Sequence, residues 1–148
     1  EFVIYDNDKD TSPESLQPRI AKWAEATRKG NEHMFFATCL NGETIGFTSM
    51  NIVAPSEYEI GYGYTSKSQG RGFAKEALTA ILDYMKELGA TKIHAGTALK
   101  NTPSVALLKS LGFELTSTEQ ISFFKDDAGN DIYFEGGNFT KNLALERK

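Results

Sequence analysis

A glycine-rich segment near the middle of the chain has the residue types that bind phosphate groups. The segment Gln69–Ala74, with the sequence QGRGFA, lies between a predicted strand and the longest predicted helix. Its two glycines let backbone N–H groups turn toward one point, and a helix N-terminus adds a partial positive charge there. Arg71 and Lys75 supply formal charge at the same place. The segment therefore predicts a pocket for a phosphate or a pyrophosphate.

The spacing of the glycines excludes two common nucleotide-binding motifs. A P-loop requires Gly-x-x-x-x-Gly-Lys-Ser/Thr, which occurs nowhere in the chain. A dinucleotide fingerprint requires Gly-x-Gly-x-x-Gly, and Lys75 stands where the third glycine would be. Because an isolated glycine pair is more often an ordinary turn, the residues around it decide the interpretation.

Strands and helices alternate around this segment. Asn41 and Gly42 predict a tight hairpin turn because both residue types accommodate positive φ angles. The predicted elements are a short strand or ordered arm at 2–5, a helix at 12–28, strands at 34–40, 43–51 and 58–65, a helix at 72–88, a strand at 92–97, a helix from 101 or 102 to 111, and strands at 113–125, 131–134 and 139–145. This order predicts an α+β, or mixed α/β, fold in which helices flank a partly antiparallel sheet.

The length and the charge of the chain limit its classes of function. The 148 residues are predicted to form a single domain over 1–148, and 40% hydrophobic with 24% charged residues exclude wholesale disorder. The 16 basic and 20 acidic residues give a net charge of −4. This balance argues against a nucleic-acid partner and suits a cationic one, such as an amine or a basic peptide.

The few cysteine and histidine residues limit redox and metal chemistry. Cys39 is the single cysteine, so a disulfide framework is excluded and a reducing, cytoplasmic setting is the simplest interpretation. With only His33 and His94 beside it, the sequence builds no convincing zinc site. No apolar run approaches the roughly 20 residues that span a bilayer, and no signal peptide is present. We therefore expect no metal and no membrane partner.

Three signals, in the same order and at matching separations, resemble the GNAT superfamily of N-acetyltransferases. The segment Gln69–Ala74 matches its Gln/Arg-x-x-Gly-x-Gly/Ala signature, and EIGY at 59–62 resembles its fourth strand. NTPS at 101–104 and LGF at 111–113 resemble the helix that follows its fifth strand. The EIGY strand and the Asn-x-x-Ser form are most similar to the branch that acetylates ribosomal-protein N-termini and related amines.

The resemblance implies an acetyl-CoA-dependent N-acetyltransferase with a central, mostly antiparallel sheet. In this superfamily the fourth and fifth strands are parallel but splay apart, and the pantetheine arm of the cofactor enters the gap. The resemblance assigns pantetheine pairing to the backbone of Tyr62, Gly63 and Tyr64. Asn101 is implied to hydrogen-bond near this arm or to hold the strands apart. The pyrophosphate is assigned to the loop residues Gln69, Gly70, Arg71, Gly72, Phe73 and Ala74.

The resemblance also implies which residues do the chemistry. Glu59 is the predicted general base, acting directly or through water, because superfamily members often use a glutamate there. A solvated or lysine-paired carboxylate is the alternative, and Glu57, with the same strand parity, competes for the role. Leu108 stands where many members carry a tyrosine acid, so Ser104 is the predicted hydrogen-bond donor to the departing thiol. There are two alternatives. Ser104 is only a helix-capping residue, or the thiolate leaves without help from an acid.

The other candidate functional residues have simpler structural interpretations. We interpret His94 as structural or solvated, His33 as a surface residue and Cys39 as a buried strand residue. EGGN at 135–138 either shapes the acceptor pocket or forms a wide turn. Six aromatic residues could line an amine site, although most are expected to pack within the fold: Tyr62, Tyr64, Phe123, Phe124, Tyr133 and Phe134.

The sequence does not identify the acceptor. A protein N-terminus and a small amine both fit the acidic balance. The residues ahead of the hairpin at Met34 are fewer than in most superfamily members, so we expect the acceptor side to be trimmed, or to be completed by further residues or by a second subunit, as in a homodimer. A non-catalytic acyl-CoA-binding module and a structural domain that binds nothing are the rival classes of function.

Overall fold

The computed structural model describes residues 13–30 and 32–143, so the predicted strand or arm at 2–5 lies outside the described residues. Within these ranges, three α-helices and six strands alternate much as predicted. They are α1 (Pro13–Lys29), β1 (His33–Leu40), β2 (Glu43–Ala54), β3 (Glu57–Tyr64), α2 (Phe73–Glu87), β4 (Lys92–Ala98), α3 (Thr102–Ser110), β5 (Glu114–Lys125) and β6 (Asp131–Asn142), with one 3₁₀ turn at Ser66–Ser68.

The strands form one mixed sheet. Their order is β1-β2-β3-β4-β6-β5, and each neighbouring pair is antiparallel except β3 with β4. A parallel pair needs a crossover connection, and α2 supplies it here. Asn41 and Gly42, with φ angles of 52° and 82°, make the predicted tight turn between β1 and β2. The predicted mixed α/β fold with a mostly antiparallel sheet is confirmed.

Helices cover both faces of the sheet. Phe35 and Phe36 of β1 point to opposite faces, since side chains alternate along a strand. Phe35 stacks on Trp23 of α1 with the ring centroids 5.0 Å apart, whereas Phe36 meets Tyr84 of α2 edge-on at 6.1 Å. We therefore distinguish the α1 face from the opposite face, which carries α2 and, through Ser104, α3, and which we call the α2/α3 face.

The main hydrophobic core lies on the α2/α3 face. Leu78 and Met85 of α2 and Leu108 of α3 have no exposed surface, and they belong to the same buried cluster as Ile93 of β4 and Phe139 of β6. Burying one such side chain contributes roughly 1.5–3 kcal/mol. This packing fixes both helices, and with them the start of each helix, against the strands.

The prediction of two separate strands at 131–134 and 139–145 is wrong. β6 is continuous over Asp131–Asn142, and the segment 135–138 lies in the sheet rather than in a turn. Gly136 and Gly137 are buried there, and an added Cβ would collide with Ile121 and with Leu99, respectively. Neighbouring side chains fill the space of the missing ones, so close packing explains these glycines.

Candidate active site

β3 and β4 separate half-way along their length. Their parallel pairing begins at Glu57 and Lys92 and ends at Ile60 and Ala95, although β3 continues to Tyr64 and β4 to Ala98. The outer edges of both strands stay paired, β3 with β2 and β4 with β6. Beyond Ile60 the two inner edges therefore face a gap, and this gap contains the predicted pantetheine-pairing residues.

The loop after β3 is tied back to the strand that it leaves. Gln69 donates from Nε2 to the backbone carbonyl of Tyr64 at 3.0 Å, and the Ser68 hydroxyl donates to the carbonyl of Thr65 at 2.9 Å. The side chain of Gln69 is thus engaged in a hydrogen bond within the loop. Gln69 could therefore contact a pyrophosphate only through its backbone, while its side chain stabilises the shape of the loop.

The two loop glycines adopt backbone conformations that other residues rarely adopt. Gly70 has a φ of 76° and Gly72, the N-cap of α2, has a φ of 83°. An added Cβ at either position would meet no atom within 4 Å, so the space beside both is open. The requirement for glycine here comes from the left-handed backbone and not from crowding.

Positive groups lie in this loop and in the first turn of α2. The first N–H groups of a helix have no intrahelical acceptor, and in α2 they belong to residues from Phe73 onward. The Arg71 guanidinium lies over the Phe73 ring, 5.0 Å from its centroid, and Arg71 and Lys75 are both exposed. Backbone donors, a helix N-terminus and two cations at one open position suit an anionic ligand.

The start of α3 carries Asn101, Ser104 and a hydroxyl pair. Asn101 caps the helix by accepting, through Oδ1, a hydrogen bond from the Ser104 backbone N–H at 3.4 Å. The Ser104 hydroxyl lies 2.7 Å from the Tyr62 hydroxyl of β3. Tyr62 is placed beyond the point where β3 and β4 part, so the hydroxyl pair connects β3 to α3 beside the gap. Leu108, one turn along α3, is fully buried in the core.

Glu59 lies on the opposite face of the sheet from this hydroxyl pair. Its register partners are Asn51 on β2 and His94 on β4, and Glu59 itself is exposed to solvent. Asn51 is in turn paired with His33 of β1, whose Nδ1 lies 3.0 Å from the Asn51 Oδ1. A row of polar side chains therefore crosses the α1 face at the level where the gap begins.

Glu57 and His94 form a close pair in this region. His94 Nε2 lies 2.8 Å from Glu57 Oε1, and His94 Nδ1 lies 3.2 Å from the Thr140 hydroxyl of β6. The hydrogen bond from His94, followed by the charge of Lys92, lowers the pKa of Glu57 below its usual value. The sequence suggested separate roles for Glu57 and His94 and did not indicate that they pair, because the parallel register that brings them together is not visible in it.

A cavity of about 240 Å³ opens on the α1 face beside this row. Its aromatic side consists of Trp23, Phe35 and Phe47, whose rings stack in series at 5.0 Å and 5.3 Å. Ser49 and Asn51 contribute polar groups to the same wall. Because Asn51 is the register partner of Glu59, the cavity adjoins the predicted base.

The remaining candidates are distributed around the sheet. Cys39 is exposed, not buried as predicted, because it lies on β1 at the sheet edge, with its Sγ 3.6 Å from the Thr44 hydroxyl. His33 is exposed as expected. Tyr133 is also exposed, Phe134 is half-buried, and the side chains of Phe123 and Phe124 lie outside the described part.

Two further findings concern metals and membranes. Over 13–30 and 32–143, no group of three or more His, Cys, Asp or Glu side chains has an arrangement that could hold a metal ion. Among the helices in those same ranges, none has the length and apolarity needed to cross a bilayer.

The comparison with known families agrees with this architecture. A family model described as an acetyltransferase (GNAT) domain matches residues 1–114, which is more than half of the chain. The chain therefore belongs to the GNAT acetyltransferase family, and the resemblance drawn from the motifs is confirmed.

Two curated relatives match over shorter segments. An uncharacterized N-acetyltransferase, p20 of Bacillus licheniformis, is 37% identical over 75 residues, which are 49% of this chain and 42% of the relative. Another, YnaD of Bacillus subtilis, is 39% identical over 56 residues, which are 37% of this chain and 33% of the relative. The matched segments thus span less than half the length of either relative.

Solved structures match over most of the chain. A ribosomal-protein-S5-alanine acetyltransferase from Vibrio fischeri has a TM-score of 0.77 at 22% identity and covers 95% of this chain and 79% of its own. The structure of yncA from Salmonella typhimurium, with its cofactor acetyl-CoA, has a TM-score of 0.75 at 20% identity. The match covers 88% of this chain and 76% of yncA. At these identities the similarity establishes the fold.

Proposed function

We propose that this chain is an acetyl-CoA-dependent N-acetyltransferase that moves the acetyl group to a primary amine. The observation that carries the proposal is the gap between β3 and β4, which leads to an open loop with two left-handed glycines at the start of α2. Membership in the GNAT family, the N-acetyltransferase names of both curated relatives and the acetyl-CoA in the yncA structure support it.

The cofactor is proposed to occupy the gap and the loop together. The pyrophosphate accepts hydrogen bonds from the backbone of the loop around Gly70 and Gly72 and from the first turn of α2, with Arg71 nearby. The pantetheine arm runs along the β3 backbone at 62–64, where β4 has moved away. Asn101 contributes by fixing the start of α3, which borders the same gap.

The chemistry is a direct transfer. The amine nitrogen attacks the thioester carbonyl carbon, the C–S bond breaks, and its electron pair leaves on the sulfur. Glu59 takes the proton that the amine loses, directly or through one water molecule. Its exposed position on the α1 face, within the polar row and one residue before the last paired residue of β3, supports this assignment over that of Glu57, whose carboxylate is already paired with His94.

The acceptor is proposed to approach from the α1 face. The net charge of −4 suits a cationic amine. The solved structures of similar fold include ribosomal-protein-alanine acetyltransferases and a spermidine N-acetyltransferase chimera. A protein N-terminus and a small amine therefore both remain in the proposal, together with a homodimer that would add residues to the acceptor side.

An acceptor screen tests the proposal. Purified protein is incubated with acetyl-CoA and a panel of polyamines, amino acids and peptides with free N-termini, and both thiol release and the acetylated product are measured. We expect one class of amine to be acetylated. Glu59→Gln should lower kcat about 10²-fold while acetyl-CoA binding stays unchanged. Glu114→Gln, an exposed carboxylate at the start of β5, is the matched control and should leave kcat unchanged.

A non-catalytic acyl-CoA-binding module is the second candidate, and it is favoured by Leu108, which stands where many superfamily members carry a tyrosine acid. Such a module would bind without turnover. One-site binding at 100 times Kd adds about 2.7 kcal/mol of stability, so acetyl-CoA would raise Tm although no amine released thiol. A chain that shows neither the Tm increase nor thiol release would contradict both candidates.

A further inference from the structure

We infer that Tyr62 and Ser104 form a two-hydroxyl relay that protonates the departing thiolate, an assignment that rests on the proposed acetyl transfer. The two hydroxyl oxygens lie 2.7 Å apart, which is the usual distance of an O–H···O hydrogen bond. Ser104 is the member that meets the sulfur, and Tyr62 is a positioning residue that acts through it. The conventional tyrosine position of α3, Leu108, is fully buried and is not used.

The pair lies on the correct side of the sheet for a leaving group. Tyr62 is the register partner of Thr48, and Thr48 is the register partner of Phe36, so all three share the α2/α3 face. Glu59 stands three residues earlier on β3 and therefore points to the other face. One strand thus presents a base toward the acceptor and a hydroxyl donor toward the cofactor, and the two groups do not compete for one proton.

The start of α3 holds Ser104 in place. Its backbone N–H donates to the Asn101 side chain at 3.4 Å, and Asn101 is the N-cap residue that follows β4. Tyr62 approaches from β3, the other strand of the gap. The hydroxyl pair consequently joins the two sides of the gap beyond the last paired residues, Ile60 and Ala95.

Acid strength explains why a serine would need the tyrosine. An alkyl thiol has a pKa of roughly 8.5 and a phenol a pKa of roughly 10, so a phenol can share a proton with a thiolate as charge develops. An aliphatic hydroxyl is a far weaker acid and cannot give up its proton unless another proton replaces it. A serine that receives the phenol proton while it donates its own meets that condition.

Two protons move along the hydroxyl pair when the thioester is cleaved. The C–S bond breaks and its electron pair stays on the sulfur. The sulfur takes the proton of the Ser104 hydroxyl, and the Ser104 oxygen takes the proton of the Tyr62 hydroxyl. Tyr62 is left as a phenolate, and the proton that the amine lost earlier returns to it through solvent. The net products are the amide and the free thiol.

Single and double variants of the pair test the relay. Tyr62→Phe and Ser104→Ala should each lower kcat about 10²-fold with Kd for acetyl-CoA within twofold of the wild-type value. The double variant should be no slower than either single variant, because both residues serve one proton path. Tyr58→Phe, a core tyrosine on the same strand and the same face, is the matched control and should retain kcat.

Two further measurements separate a relay from simple packing. A proton inventory in mixed H₂O and D₂O should show two protons in flight for the wild type and fewer for Tyr62→Phe. Replacing Tyr62 by 3-fluorotyrosine, a more acidic phenol of nearly equal size, should restore most of the kcat that Tyr62→Phe loses. Equal falls of kcat and acetyl-CoA affinity in Tyr62→Phe would overturn the relay, and so would a kcat unchanged in that variant.

The outcomes also separate the relay from the proposed function. Thiol release by the wild type with an unaffected Tyr62→Phe rejects the relay and keeps the acetyl transfer. A large loss of kcat in Ser104→Ala alone assigns the donation to the serine and rejects Tyr62. If the wild-type chain binds acetyl-CoA but releases no thiol with any of the amines tested, the relay and the acetyl transfer are both overturned.

Discussion

The two faces of the sheet beside the gap between β3 and β4 are built in different ways. The α2/α3 face is packed: Leu78, Met85 and Leu108 are fully buried, and each helix begins at a capping residue in a short motif. The α1 face is more open, with an exposed Glu59 and a cavity beside it. The proposed phosphate loop and the cap of α3 are thus each specified by residues close together in sequence, whereas the polar row beside the proposed acceptor cavity is specified by the register of four strands.

This difference indicates how the two sides could vary independently. The loop at 69–74 and the cap at Asn101 are held by hydrogen bonds to residues close by in the sequence, so we expect changes on the α1 face to leave them intact. The polar row from His33 to His94 depends on register, where each member comes from a different strand. A change in the polar row beside the proposed acceptor cavity therefore involves positions distant in the sequence, whereas a change in the proposed phosphate loop involves neighbouring positions.

Restoring a tyrosine on α3 tests how tightly the α2/α3 face is packed. Leu108→Tyr adds volume at a position without exposed surface, so the free energy of unfolding should fall by about 3 kcal/mol, and kcat should not rise. Urea denaturation and thiol release measure both. Ala106→Tyr, on the exposed side of the same helix, should change the stability by less than about 0.5 kcal/mol. A stable and faster Leu108→Tyr variant would contradict the close packing around Leu108.

A charge in the loop tests the cofactor side directly. Gly72→Asp places a carboxylate against the proposed pyrophosphate site, and we expect about 100-fold weaker acetyl-CoA binding by calorimetry, since like charges cost several kcal/mol. Gly129→Asp is the matched control, because Gly129 has a φ of 85° and equally open surroundings but lies in the β5–β6 turn. Unchanged affinity in Gly72→Asp would place the phosphates elsewhere.

Removing the cap of α3 measures what one local motif contributes. Asn101→Ala deletes the acceptor of the Ser104 N–H, and the free energy of unfolding should fall by about 1 kcal/mol in urea denaturation. Asn101→Asp keeps an acceptor at the same place and should recover most of that loss. Equal losses in both variants would show that Asn101 acts through something other than the cap.

The smallest expected effect concerns the pH dependence of the α1 face. The hydrogen bond from His94 lowers the pKa of Glu57, so its stabilising contribution is present above the unfolded-state pKa and is lost as pH falls through the lowered value. Glu57→Gln should therefore be less stable than the wild type at neutral pH, and the difference should shrink in acid. Urea denaturation from pH 7 to below pH 4, with Glu114→Gln as control, measures it. A difference that grows in acid would reverse the assigned sign.

Local patterns in the sequence predicted much of the fold. The hairpin at Asn41 and Gly42, the long helix after Gly72 and the mixed sheet all follow from turn chemistry and periodicity, and the structure confirms them. The interruption expected at 135–138 is wrong, because two glycines suggest a turn when their neighbours are unknown. Only the packed sheet shows that the side chains of Ile121 and Leu99 occupy the space that these glycines leave.

The candidate site divides in the same way. The sequence proposed Glu59, the loop and Ser104 as separate assignments, and these remain predictions for experiment. It did not indicate that the Tyr62 hydroxyl meets Ser104, 42 residues away, or that Glu57 meets His94, 37 residues away. No sequence motif indicates the aromatic cavity formed by α1, β1 and β2 either.

The sequence by itself determined the family and the class of fold, because these depend on motifs, caps, turns and periodicities within a few residues. The tertiary structure alone decided where β3 and β4 part, which face each side chain of β3 occupies, and which hydroxyl stands beside Ser104. Those features depend on strand register and helix packing. Register joins residues that are far apart in the chain, so it is fixed only when the whole hydrophobic core assembles.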